Sequence, residues 1–169
     1  MVAMTDEIPR LPSLHSGVVA AATVSVVTLA LGFYAAIAVP FGVLALCAAA
    51  VAVGRGWRRA AVWAGILLFG GVVAAAVENA PTLVVLVGAG GAVVVWDLLD
   101  NAIGLGEQLG READTRRTEV VHAAGSVALA FAVSAGSYGL YSVVGGGKPL
   151  SALVFLLVAV VALTSVLRT

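Results

Sequence analysis

Charge is what this chain has least of. Asp, Glu, Lys and Arg make up 11% of its 169 residues, against about a quarter in soluble domains. The formal net charge is zero, so no general attraction to nucleic acid follows. Cys47 is the single cysteine, which excludes an intrachain disulfide and a multi-cysteine metal site. It falls mid-run among apolar residues and reads as a small buried hydrophobe. The two histidines, His15 and His122, have no partner at metal-ligand spacing. His122 reads as a plain interfacial histidine rather than a pH switch. Gly104 and Gly106 followed by Gly110 have the wrong spacing for a dinucleotide fingerprint, and Gly147-Lys148 lacks the earlier glycine of a phosphate loop. No cofactor is therefore expected, and no metal.

Apolar residues supply what charge does not. They make up 62% of the chain, with mean hydropathy +1.11. A soluble fold of this length has too little interior to hide so much apolar surface, so lipid must supply the burial. From Gly17 to Gly54 run 38 residues without a charge, followed by Arg55, Arg58 and Arg59. One helix of that run would be about 57 Å long, far beyond a hydrocarbon core of about 30 Å. Two helices fit, with a turn near Gly32 to Pro40.

The same design recurs, and the expected fold is an all-α polytopic transmembrane bundle of about six helices. They are placed at 17–34, 37–54, 60–78, 82–98, 120–143 and 149–167. Residues 1–16 form a short polar tail, and 17–169 a single transmembrane domain. Ala36-Ile37-Ala38 resembles a signal-cleavage site, but the acids Asp6 and Glu7 before it argue against removal. With both termini cytoplasmic, Arg10, Arg55, Arg58, Arg59, Arg111, Arg116, Arg117 and Arg168 lie inside and only Lys148 outside. That is the positive-inside bias. Trp57, Trp63 and Trp96 fall at the same inner boundary; Phe33, Tyr34, Phe41, Tyr138 and Tyr141 fall near the outer one, as interfacial aromatics do.

Two surfaces stand out. Ala124, Ala128, Ala132 and Gly136 recur four apart on the fifth helix and could form a close-packing face. In the polar segment 97–119, Leu98, Ala102, Leu105 and Leu109 recur at helical spacing, a possible docking face for a partner. Glu107 with Arg111 and Glu112 with Arg116 support a helix there at i,i+4. Three glycines weaken it, so it would form against another surface or as a continuation of helix 4. No helix carries a charge at mid-depth, where ion and proton paths place one. Glu78 and Asp97 are expected at helix ends. Ser25, Thr28, Ser126, Ser134 and Thr164 can bond back to their own helices, and no base lies at matching depth to activate a serine.

The stretch from Trp96-Asp97-Leu98-Leu99-Asp100-Asn101 through Gly110-Arg111-Glu112, with Thr115-Arg116-Arg117 and Val121-His122-Ala123-Ala124-Gly125, resembles a family of small uncharacterised haloarchaeal membrane proteins. Genes of that family lie near those of MoxR-type ATPases. The resemblance implies a membrane helix bundle and an accessory role in a cell-envelope complex, and it carries over no catalytic residue. The expected function is thus a non-enzymatic accessory or scaffold subunit in the cell membrane. Its partners are the lipid bilayer and a cytoplasmic or membrane protein, with no nucleic acid. The alternative is a small permease or channel for a neutral or apolar solute.

Overall fold

The computed structural model describes residues 11–110 and 115–144. Contacts divide the chain into two units, Met1–Ala135 and Gly136–Thr169. Regular structure among the described residues is helical throughout: α1 Leu14–Tyr34, α2 Ala38–Arg55, α3 Arg58–Val77, α4 Thr82–Leu109 and α5 Arg116–Val144. Each is long and apolar enough to cross a membrane, the hallmark of a multi-pass membrane protein. The sixth expected helix, 149–167, lies outside the described residues, as do Arg10, Arg111, Lys148 and Arg168.

Local sequence sets the helix ends. Ser13 caps α1, accepting from the Ser16 backbone N–H at 3.2 Å; the helix therefore starts before the expected Gly17. Pro40 sits in the first turn of α2, where its missing N–H is harmless. Gly56 adopts φ 63 at the end of α2, and Trp57 N–H reaches Ala52 O at 3.2 Å. Asn79 (φ 62) does the same for α3, with Ala80 N–H on Ala75 O at 3.0 Å and Asn79 N–H on Ala76 O at 3.1 Å. Both are Schellman endings, which need a residue that tolerates the left-handed region.

In the first unit, α1 to α4 form an up-down-up-down ring. α1 packs on α2, α2 on α3, α3 on α4, and α4 back on α1. The buried ridges step by alternating threes and fours: Ala38, Gly42, Ala45, Ala49 and Ala52 on α2, and Ala61, Ala64, Leu68, Gly71 and Ala75 on α3. This is the spacing of left-handed bundles. Small residues let the backbones approach, so van der Waals contact replaces the hydrophobic drive that lipid removes. At Gly42 an added Cβ would run into the Thr28 side chain. The larger Val24, Leu31, Leu68 and Val95 fill the centre, each fully buried. Cys47 is exposed, against the expectation of burial. It lies off the ridge that turns Gly42, Ala45 and Ala49 inward.

α4 runs to Leu109 rather than stopping near residue 98. Its 28 residues span about 42 Å, so the C-terminal part projects beyond a hydrocarbon core of about 30 Å. Leu98, Leu99, Ala102, Ile103 and Gly106 are buried along this extension, which supplies the support an isolated glycine-rich helix lacks. Gly106 is needed there. A Cβ would lie 2.6 Å from the Leu11 carbonyl and 2.8 Å from Pro12 N. Leu11 and Pro12 thus lie against α4, and Pro12 is buried.

Candidate functional site

The polar side chains gather where α1, α3 and α5 begin and α4 ends. Burial of Glu119 is the centre of the arrangement. It stands in the first turn of α5, where a carboxylate faces the free N–H groups of the helix. It is 6% exposed. Ser16 Oγ on α1 donates to Glu119 Oε2 at 2.6 Å, and Thr115 Oγ1 donates to Glu119 Oε1 at 2.5 Å. Ser16 and Thr115 are themselves buried. A buried carboxylate needs such donors to offset its lost hydration, and the Ser16 bond ties α5 to α1.

A second cluster joins α5 to α4. Asp97 Oδ2 accepts from Ser126 Oγ at 2.5 Å, and His122 Nε2 lies 2.8 Å from the same oxygen. That contact is not a hydrogen bond: His122 Nε2 is buried and has no hydrogen-bond partner among the described residues. Ser126 Oγ also contacts its own helix at His122 O, 3.1 Å away. Two expectations change here. Asp97 sits within α4, not at its end, because the helix continues past it. A serine, a histidine and an aspartate do share one depth. Their order is nonetheless not that of acyl transfer: the hydroxyl donates to the carboxylate, and the imidazole does not stand between them as a base.

A third cluster lies at the surface. Arg58 at the start of α3 reaches Asp100 at 2.6 Å and Glu107 at 3.0 Å. The two acids are seven residues apart, two turns on one face of α4. Arg59 next to it is exposed and has no ion pair among the described residues. Further along, Ser134 Oγ donates across to Leu86 O at 3.2 Å, whereas Ser25 and Thr28 bond back to Ala21 O and Val24 O.

The two surfaces expected from sequence end up differently. Ala124, Ala128 and Ala132 are exposed, and so, in the second unit, is Gly136. Among the described residues, no atom of another element lies within 4 Å of a Cβ built on Gly136. α5 instead faces α4 through Ala130 and Ser134, which flank Gly90. The stripe on 97–119 is divided. Leu98 and Ala102 are buried in the chain's own bundle, Leu105 is half-buried, and Leu109 alone is 56% exposed. Sequence reading missed the ridge from Ala38 to Ala52, whose alternating spacing was its signal, and the Ser16–Glu119 contact, which no local pattern announces.

No group of three or more His, Cys, Asp or Glu side chains arranged for a metal occurs among the described residues. Compared with known families, residues 10–164 match the model of a family of unknown function, DUF7519. No curated protein and no solved structure matches the chain.

Proposed function

The chain belongs to the DUF7519 family of unknown function, and we propose that it is a non-enzymatic accessory or scaffold subunit of a membrane complex. One observation carries the reading. The exposed side of α5 offers a ridge of small residues, Ala124, Ala128 and Ala132, that α5 does not use toward α4. Small residues at four-residue spacing favour close approach of a second transmembrane helix. Leu109, exposed at the projecting tip of α4, adds a contact point outside the bilayer.

The competing reading, a permease for a neutral solute, needs a polar path. The interior of α1 to α4 is lined instead by Ala20, Val24, Leu31, Leu68, Val95 and Leu99, all apolar and at most 1% exposed. That composition supports a packed, non-conducting bundle. The serine–carboxylate–imidazole arrangement likewise supports a bracing role over a nucleophilic one. The arginine distribution favours a cell-membrane location with both termini and the tip of α4 in the cytoplasm. The haloarchaeal resemblance over residues 96–125 favours an accessory role in an envelope complex.

The test compares wild type with Ala128→Trp, which blocks the ridge without entering the core. Co-purification from native membranes should yield a defined stoichiometric partner with wild type and lose it with the variant. Liposomes holding the pure protein should pass glycerol no faster than empty ones. Partner recovery unchanged by Ala128→Trp, or solute flux above background, would overturn the proposal.

A further inference from the structure

Between the outer faces of α3 and α4 lies an apolar groove of about 350 Å³. Val62, Ile66 and Phe69 of α3 form one wall, and Val93 and Trp96 of α4 the other; Gly65 forms the floor. Gly65 keeps it open, since a Cβ there would lie 3.0 Å from Trp96 Cβ. From Val62 to Phe69 the α3 wall is about 10 Å long. Val62, Ile66 and Phe69 are exposed, so among the described residues the groove opens away from the bundle.

The polar end of this groove carries a charge. Arg59 precedes Val62, Ile66 and Phe69 by 3, 7 and 10 residues on α3, which places it on the same helix face. It stands about 9 Å from the level of Gly65 along the helix axis. The two cations at the start of α3 are not equivalent. Arg58 is already paired with Asp100 and Glu107, while Arg59 has no ion pair among the described residues. Trp96 lies between the level of Arg59 and the deeper part of the groove, at the depth where indole rings favour the boundary.

We propose that this groove seats one chain of an anionic phospholipid whose phosphate is held by Arg59. The guanidinium fork matches phosphate oxygens, and basic positions flanking apolar clefts between spanning helices recognise anionic head groups. The apolar lining selects the chain without regard to its chemistry. Arg59 supplies the preference for negative charge.

Trp96 is the reporter. A Trp57→Phe, Trp63→Phe protein leaves it as the only tryptophan. It is reconstituted in phosphatidylcholine vesicles doped with chain-brominated phosphatidylglycerol or chain-brominated phosphatidylcholine. Brominated phosphatidylglycerol should quench Trp96 at a roughly fivefold lower mole fraction, the advantage one arginine gives near an anionic head group. Arg59→Gln should remove the preference while leaving residual quenching by both lipids. Val93→Phe, or Ile66→Phe should the first fail to fold, should fill the groove and weaken quenching by both. Equal quenching by the two lipids, or a preference that survives Arg59→Gln, overturns the proposal, as does quenching unaffected by a filled groove in a protein of normal helicity.

Discussion

Replacing Ser16 with alanine should free the start of α5. The hydroxyl donates to a carboxylate that is 6% exposed. A hydrogen bond to a charged partner contributes about 1.5–3 kcal/mol. After the substitution Glu119 keeps Thr115 as a donor, with the Ser13 hydroxyl also acting on it, so the acid loses part of its solvation but not all. The cap of α1 survives, because it uses the backbone N–H of residue 16 and the side chain of Ser13. Little else holds this stretch among the described residues: between Arg116 and Val143 only Glu119 and Ser134 are buried, and the next contacts are those of His122 and Ser126 with Asp97. Local opening should therefore become roughly ten- to hundredfold more frequent. Hydrogen exchange of a peptide covering residues 115–122 in lipid nanodiscs measures this directly. Ser25→Ala is the control, since that exposed hydroxyl bonds only to its own helix at Ala21 O. If Ser16→Ala raises exchange no more than Ser25→Ala does, the Glu119 clasp does not tether α5 and the energetic reasoning fails.

Other substitutions probe the remaining contacts. Gly42→Val should lower the thermal midpoint in detergent by an overpacking cost of about 1–3 kcal/mol, and Thr28→Ala in the same chain should recover part of it because Thr28 is the obstructing side chain. Gly106→Ala should be costly, since its Cβ meets the backbone of Leu11 and Pro12, whereas Gly54→Ala, which meets open space, should be neutral or stabilising by up to about 1 kcal/mol; equal effects would contradict the close crossing of the N-terminal segment over α4. Arg58→Ala should cost no more than about 1 kcal/mol per lost pair, because Asp100 and Glu107 are half-exposed, and the difference should shrink in high salt. A salt-independent loss would show that the pairs are better shielded than their exposure indicates.

Several of these features can be read from residues in order. The caps at Ser13 and Gly56 and the turn at Asn79-Ala80-Pro81 are local chemistry, so the first four helices appear close to where the pattern puts them. The end of α4 does not, because glycines at 104, 106 and 110 lower helix propensity. The compensation comes from distant groups: Leu11 and Pro12 beside Gly106, Arg58 beside Gly104. Ser16 and Glu119 are 103 residues apart, and no periodicity links them. Asp97, His122 and Ser126 are separate polar residues until antiparallel packing of α4 and α5 aligns them.

Two ridges make the division clear. Ala38, Gly42, Ala45, Ala49 and Ala52 are buried, while Ala124, Ala128 and Ala132 are exposed, though both are runs of small residues at helical spacing. By itself the sequence determined that these segments are helices, that they belong in lipid, and where most of them begin and end, since backbone hydrogen bonding and hydropathy act locally. Only the tertiary structure decided which side of each helix turns inward. Lipid tails are as apolar as alanine, so a helix in the bilayer has no wet face to reveal its dry one; fit between neighbouring surfaces makes the choice.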